Sequence, residues 1–136
     1  MSNHTVGPYM GFSDGLIPPN TRLPNDGSWV ISPNQEHVLI SQPDGNVVLY
    51  QVIGQPPKAD GDTFAGEATW ATGTNNKGSA FFIVQNDGNL VIYDSNSKAI
   101  WSSGTSGQKT IYLAVQDDGN LVLYKQTPLW SSGTNT

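Results

Sequence analysis

Residues 85–93 read Gln-Asn-Asp-Gly-Asn-Leu-Val-Ile-Tyr, and they carry a clear signal of secondary structure. The Asp87-Gly88 pair is a strong hairpin signal, because it stands between two runs of β-branched and aromatic residues, Phe-Phe-Ile-Val at 81–84 and Leu-Val-Ile-Tyr at 90–93. No segment of the chain shows sustained helical periodicity. The stretch therefore predicts two antiparallel strands joined by a tight turn.

The polarity of the two strand faces selects the loop length of this hairpin. A two-residue loop would set the polar Gln85 opposite Leu90. A three-residue loop pairs Gln85 with Asn89 instead. The next pair is then Val84 with Leu90, so polar and apolar side chains stay on separate faces. We therefore predict the three-residue loop, with Gly88 in the left-handed conformation that glycine adopts without strain.

The pattern of this hairpin recurs at 42–50 and 116–124, each time as Gln-x-Asp-x-Asn-x-Val-x-Tyr. A second landmark, Trp-x-x-Gly-Thr, recurs at 70–74, 101–105 and 130–134. In both internal intervals its Trp lies 15 residues before the Gln of the following copy. We therefore interpret the Trp segment as the opening strand of a repeated unit of about 30 residues.

The interval between the first two copies is longer than the second interval. It measures 43 residues against 31, and the additional dozen or so lie between Tyr50 and Trp70. Two prolines and an Asp-Gly pair fall within this insertion. These residues predict a surface loop at 51–69.

Each copy places groups suited to a sugar on one face of its hairpin. Sugar hydroxyls both donate and accept hydrogen bonds, which suits a set of Gln and Asn amides, an Asp carboxylate and a Tyr phenol. The Val methyl groups add a small apolar surface. A hairpin requires the Asp-Gly turn but not the other identities, so one copy alone would favour a structural role. All five identities recur in three copies while their neighbours vary, and this recurrence favours binding.

The triple motif resembles the mannose-binding motif of the monocot or bulb lectins, the snowdrop-type family, and the resemblance runs from about Leu23 to Thr134. It implies an all-β fold, the β-prism II, in which three four-stranded antiparallel sheets surround a pseudo-threefold axis. Trp and aliphatic side chains would fill the centre. The chain would then be a single domain, residues 1–136, with one monosaccharide pocket on each sheet and up to three in all.

The resemblance also implies a role for each motif residue. Asp and Asn would hold the axial O2 of mannose, Gln would hold O3, Tyr would hold O4, and Val would pack on the ring carbons. The residues concerned are Gln42, Asp44, Asn46, Val48 and Tyr50 in the first copy, Gln85, Asp87, Asn89, Val91 and Tyr93 in the second, and Gln116, Asp118, Asn120, Val122 and Tyr124 in the third. The axial O2 separates mannose from glucose, so Asp and Asn would carry the specificity.

The first copy is the weakest of the three as a site. Ser41 falls where Val84 and Val115 are expected to point inward, and Pro43 sits in its loop. The chain also departs from the plant pattern, because it has no cysteine for the usual disulfide and its first residues lack the features of an export signal. These departures favour a fungal, bacterial or cytosolic member. We expect a soluble protein that is cytoplasmic or exported by a non-classical route.

Composition argues against several other classes of function. The net charge is −5 and the six basic residues are scattered, which argues against nucleic acid and against an anionic membrane surface. A glycosidase needs two facing carboxylates, whereas each repeat has one motif Asp, and the additional Asp117 should point elsewhere. His4 and His37 lie outside the repeats and suit neither a triad nor a metal site, with His37 expected on a strand surface. We predict no enzyme activity, no cofactor and no metal.

An alternative use of the same fold stays open at this stage. Relatives of bulb lectins include taste-modifying proteins and bacterial toxins or defence proteins, and in several of these the motifs have decayed. Three intact copies favour sugar binding. A growth assay against related cells would identify a toxin, and turnover of a glycoside would identify an enzyme.

The last Trp segment, 130–134, bears on assembly. If each Trp segment opens a unit, this one has no hairpin after it, and the first sheet is one strand short. The C-terminal strand would then complete the first sheet of its own chain or of a neighbour, since an unpaired strand invites aggregation. The resemblance favours exchange, which predicts a homodimer with six pockets able to cross-link mannose-rich glycans or glycoproteins.

Overall fold

The computed structural model describes residues 2–125, which form twelve β-strands paired antiparallel and no helix. The strands are β1 (Ser2–Thr5), β2 (Leu16–Ile17), β3 (Thr21–Pro24), β4 (Ser28–Ile31), β5 (His37–Ser41), β6 (Val47–Ile53), β7 (Thr63–Ala71), β8 (Ser79–Val84), β9 (Leu90–Asp94), β10 (Ala99–Ser102), β11 (Thr110–Val115) and β12 (Leu121–Lys125).

The strands form three sheets, each built around one of the predicted hairpins. Their orders are β1-β7-β6-β5-β4, β10-β9-β8-β3 and β12-β11-β2. The all-β, three-sheet architecture is thus confirmed. The strand counts differ from the expected four per sheet, because β1 adds a fifth strand to the first sheet and the third is described only as far as β12. Residues 126–136 lie outside the described part of the chain.

The hairpin loops have the predicted length and register. Val84 pairs with Leu90, and the Gln85 amide donates to the Asn89 carbonyl at 2.9 Å. Gly88 has a φ of 92°, and a Cβ there would lie 2.4 Å from the Gln108 carbonyl oxygen. Glycine is therefore required both by the backbone conformation and by the close approach of the next turn.

The two Trp segments within the described residues pair with the hairpin that precedes them, not with the one that follows. Trp70 on β7 pairs with Leu49 of the preceding hairpin, and Trp101 on β10 pairs with Ile92 of the hairpin before it. The sequence interpretation of the Trp strand as the start of the next unit was wrong. It was also wrong that the first sheet lacks a strand, because β4 and β7 flank its hairpin within one chain. Regular spacing identifies a repeat, but it does not say which neighbour a strand pairs with.

The centre of the molecule is an apolar cluster to which all three sheets contribute. Inward side chains such as Leu39, Phe82 and Leu113 are completely buried. The rings of Trp70 and Trp101 pack beside this cluster, edge to face, with centroids 6.0 Å apart. Each fully buried side chain of this kind contributes about 1.5–3 kcal/mol relative to exposure.

The insertion in the first repeat is mostly strand. β6 continues to Ile53 and β7 begins at Thr63, so the connecting loop covers only 54–62. The predicted surface loop at 51–69 was therefore too long. The extended part of β7 gives β1 an edge to pair with, from Ser2 opposite Gly66 to Thr5 opposite Thr63.

His37 is buried, contrary to the expectation of a strand surface position. It lies on β5 with 9% of its surface exposed, because the loop of the third hairpin packs against it. A Cβ on Gly119 of that loop would lie 2.9 Å from His37 Cε1. His37 thus belongs to the contact between the first and third sheets.

Within the described residues, 2–125, no helix is long and apolar enough to cross a membrane.

Candidate carbohydrate sites

Each hairpin carries its five motif residues as the sequence predicted, with Gln at the end of one strand and Tyr on the other. In every copy the Gln side-chain amide donates to the Tyr hydroxyl. The distance is 2.9 Å for Gln42 and Tyr50 and 2.6 Å for Gln85 and Tyr93, and the third pair makes the same contact. This bond fixes both side chains, while the Gln carbonyl oxygen and the Tyr O–H proton remain available to a ligand.

The motif Asp of each copy is held by the backbone of its own loop. One carboxylate oxygen accepts a hydrogen bond from the backbone N–H of the motif Asn, at 2.9 Å in the first copy, 3.0 Å in the second and 2.9 Å in the third. All three carboxylates are solvent-exposed. The turn thus orients the side chain, and its second oxygen can accept a charge-assisted hydrogen bond from a ligand hydroxyl.

The motif Asn is oriented by the Trp-x-x-Gly-Thr segment that follows. Asn89 Oδ1 accepts from the hydroxyls of Ser102 and Ser103, both at 3.0 Å, and from the Thr105 amide at 3.3 Å. In the first copy, Asn46 Oδ1 accepts in the same way from the segment 72–74. Because Oδ1 faces these donors, Nδ2 is the group left to donate to a ligand.

Sequence reasoning missed this second role of the Trp segment. Its closing Thr also ties the segment to the hairpin turn, since Thr105 Oγ1 donates to the Gly88 carbonyl at 2.5 Å. Thr74 Oγ1 donates to the Gly45 carbonyl at 2.6 Å in the same way. The sequence carried only a partial signal, a Gly-Thr pair after each motif Asn, because the separation of Asn and Thr differs between copies, 28 residues in the first and 16 in the second. The equivalent segment of the third copy, 130–134, lies outside the described residues.

The second and third sites open into clefts at the surface. Gln85 and Tyr93 line a cleft of about 400 Å³. Gln116, Asp118 and Tyr124 line another of about 440 Å³. Each cleft is large enough for a monosaccharide, and each brings motif hydrogen-bonding groups together beside an aromatic surface.

The first site is covered by the N-terminal strand. The His4 ring on β1 lies against the Tyr50 ring with centroids 3.9 Å apart, and Phe64 packs edge-on against Tyr50 at 5.8 Å. Tyr50 is only 5% exposed, whereas Tyr124 in the third site is 38% exposed. The motif is intact in sequence, but its aromatic member has become part of a core.

The outer face of the first sheet explains this covering. It carries apolar side chains that would otherwise face water, and together they form a second apolar cluster. Its buried members are Val6, Trp29, Ile31, Val38, Ile40, Val48, Tyr50 and Phe64. Gly66 lets the cover close, because a Cβ there would lie 2.8 Å from the Phe64 ring, and its carbonyl lies 3.0 Å from His4 Nε2.

Burial also changes the acidity of Tyr50. Desolvation raises the pKa of its phenol, the hydrogen bond from Gln42 lowers that pKa, and the charge of Asp44 raises it. The net direction is upward from 10.0. Tyr50 therefore stays a neutral phenol under ordinary conditions.

The remaining polar candidates have structural partners. The Asp117 carboxylate accepts a hydrogen bond from the backbone N–H of Asn34 at 2.8 Å. It is therefore bound to the loop between β4 and β5 of the first sheet. Within residues 2–125, no group of three His, Asp or Glu side chains is placed to hold a metal ion.

The sequence matches the family model for D-mannose binding lectin over residues 68–135, which is half of the chain. This chain belongs to that lectin family. The family resemblance seen in the three motifs is thereby confirmed. The matched residues include the second and third motifs, whereas the first motif, at 42–50, precedes them. Membership of a lectin family also agrees with the prediction that the chain is not an enzyme.

Known lectins resemble this one over most of the fold. The mannose-specific agglutinin from snowdrop (Galanthus nivalis), solved with methyl-α-D-mannoside, is 33% identical, covers 90% of this chain and 99% of its own, and has a TM-score of 0.67. Polygonatum cyrtonema lectin, complexed with monomannoside, is 29% identical, covers 89% and 97%, and has a TM-score of 0.64. A mannose-specific lectin of Dendrobium findlayanum is 38% identical over 87 residues, or 63% of this chain. This chain spans 42% of that relative's length.

Proposed function

We propose that this lectin binds mannose and mannose-terminated glycans through its second and third sites. The observation that carries the proposal is the pairing of an intact motif with an open cleft at both of these sites. The mannosides bound by the snowdrop and Polygonatum lectins support the choice of sugar.

The arrangement of the motif suggests how mannose would be distinguished. The free carboxylate oxygen of Asp87 can accept from a hydroxyl to which Asn89 Nδ2 donates. By the family resemblance this hydroxyl is the axial O2. Glucose turns O2 to the equatorial direction, so it would leave both groups with unsatisfied hydrogen-bonding capacity. A shallow site of this kind should bind a monosaccharide weakly, with a Kd of roughly millimolar, and gain by multivalency.

The proposal assigns two working sites to the chain instead of three. The first copy keeps all five motif residues, but His4 and Phe64 occupy the face of Tyr50 that an open site would present. We infer that this copy now serves the packing of the first sheet.

A site-resolved NMR titration tests the proposal. The amides of Gly45, Gly88 and Gly119 each report one loop. Methyl-α-mannoside should shift Gly88 and Gly119 strongly and leave Gly45 nearly unchanged. Methyl-α-galactoside and methyl-α-glucoside should act much more weakly, and a chelator should not change the mannoside response.

Single substitutions separate the sites. Asp87→Asn keeps the oxygen that caps the turn and removes the charge, so it should abolish the mannoside response at the second site and spare the third. Asp118→Asn should do the reverse, and Asp44→Asn is the matched control. Equal responses to galactoside and mannoside would refute the choice of sugar. A saturable response at all three loops would refute the closed first site.

A further inference from the structure

The three sites differ in chemistry at one position beside the motif. In each sheet a row of paired residues crosses the strands through the motif Val. The rows are Trp29–Ile40–Val48, Arg22–Ile83–Val91 and Leu16–Ala114–Val122. The outer position of the row is therefore an indole in the first sheet, a guanidinium in the second and an isobutyl group in the third.

Arg22 is built into the cleft of the second site. It is exposed, and its guanidinium lies over the Phe81 ring at 4.4 Å from the ring centroid. It lines one cleft together with Gln85 and Tyr93 of the motif. The other lining residues of this cleft are neutral side chains, so Arg22 sets its charge.

The third cleft has the opposite charge. Its lining includes Asp14, Asp117 and Asp118, and no basic residue is present among the described residues that form it. With the motif Asp of each site included, the second site combines Arg22 with one carboxylate, whereas the third cleft holds three carboxylates and no basic side chain among its described lining residues. The two open sites thus present the same sugar-binding groups in different electrostatic surroundings.

We propose that the second site selects mannosides that carry an anionic substituent, a phosphate or a sulfate, and that Arg22 is the residue that determines this specificity. The third site accepts neutral mannosides and disfavours charged ones. This inference rests on the proposed function, since it adds a preference to the same motif.

The chemistry of Arg22 fits such a substituent. A guanidinium presents a planar set of donors that matches the oxygens of a phosphate or sulfate. Stacking on Phe81 holds the group in place, so less side-chain freedom is lost on binding. The Asp87 carboxylate lies in the hairpin loop of the same site, which restricts the anion to the Arg22 side of the sugar. Because Arg22 is exposed, we expect a gain on the order of fivefold in affinity.

The test uses the intact chain with Asp118→Asn, so that the second site alone reports through the Gly88 amide. Mannose, mannose 1-phosphate, mannose 6-phosphate and mannose 6-sulfate are titrated in turn. At least one charged mannoside should bind on the order of fivefold more tightly than mannose. Arg22→Gln should bring its affinity down to that of mannose, Arg22→Lys should retain part of the gain, and 0.5 M salt should reduce it.

Matched controls keep the outcomes distinct. Asp87→Asn leaves the third site alone, where every charged mannoside should bind more weakly than mannose. If mannose binds at the second site but no charged mannoside binds better, or if the gain survives Arg22→Gln, the inference is overturned. Equal shifts of the Gly88 amide with inorganic phosphate or glucose 6-phosphate would also overturn the inference, because they would show that the site binds the anion without recognising mannose. Failure of neutral mannose to bind would refute the proposed function itself.

Discussion

The side-chain amide of Asn89 uses its oxygen to bond to the protein and keeps its nitrogen for a ligand. Its Oδ1 accepts from the hydroxyls of Ser102 and Ser103 and from the Thr105 backbone amide, so Nδ2 is the group left to donate to a ligand. The side chain is therefore fixed before any sugar arrives, so binding need not order it. Nothing in the motif itself indicates this support, since the donors come from the segment after the next strand.

A substitution in that supporting segment should weaken the second site without touching its ligand groups. Thr105→Val removes the hydroxyl that donates to the Gly88 carbonyl, which costs about 1 kcal/mol for a typical hydrogen bond. We expect roughly fivefold weaker mannoside binding at the second site, measured through Gly88, with the third site unchanged. Thr74→Val makes the same change at the covered first site and should leave both open sites as they are. Equal weakening by the two variants would contradict this role of Thr105.

At the scale of strands, the sequence could predict local pairing but not the partners of distant strands. The loop of residues 86–88 followed from the polarity of its neighbours, because a slip of one residue would reverse both faces of the hairpin. The pairing of β7 with β6 depends on contacts beyond the repeat. The constant spacing between Trp and the next motif Gln did not say whether a Trp strand pairs with the hairpin before it or after it. β1 has the polar sequence Ser-Asn-His-Thr, which carries no strand pattern, so its place at the edge of β7 could not be foreseen.

β1 should act as the cover of the first site. Deletion of residues 1–5 removes the His4 ring from Tyr50 and uncovers the motif beneath it, while Val6 remains to pack in the second apolar cluster. We expect the Gly45 amide then to respond to methyl-α-mannoside, which adds a third site. The truncated chain should also be less stable to denaturant, by about 1–3 kcal/mol, because apolar surface becomes exposed.

Two further variants separate the cover from the strand. His4→Ala should open the first site in part, and Thr5→Ala, which alters an exposed residue of the same strand, should leave it closed. The Gly45 amide of the truncated chain could fail to respond to methyl-α-mannoside while the other two sites still bind. The first motif would then be inactive for a reason other than its cover by β1.

At the scale of the whole molecule, the three repeats have taken different roles around one core. The inward faces converge on a shared cluster and therefore had to stay alike, while the outer faces are free to differ. The positions of the five motif residues on each hairpin could be predicted from the sequence, and their roles in binding stay a prediction. The covering of Tyr50 by His4 could not be read from the motif, because β1 comes from a part of the chain outside the repeats.

The ends of the three sheets also bear on assembly. β7 and β10 each pair with the hairpin before them in the first and second sheets, whereas the third sheet is described only as far as β12. Leu49, Trp70, Trp101 and Leu123 help to line a largely apolar cleft of about 510 Å³ beside the central cluster. An apolar cleft of this kind on the described part of the chain can mark a surface that associates with another chain. The predicted terminal strand, with Leu129 and Trp130, lies outside the described residues.

We predict that the chain forms a homodimer by exchange of its C-terminal segment, residues 129–136, between two chains. The original reason for exchange, a first sheet short of a strand, no longer holds. The reason that remains is the resemblance to the bulb-lectin family, which favours exchange between two chains. Light scattering of the intact chain should give a homodimer with four open sites, able to agglutinate mannose-rich particles. Deletion of 129–136 should leave a monomer or an insoluble chain. A stable monomer of the intact chain that still binds mannoside at both open sites would show that the segment closes its own sheet.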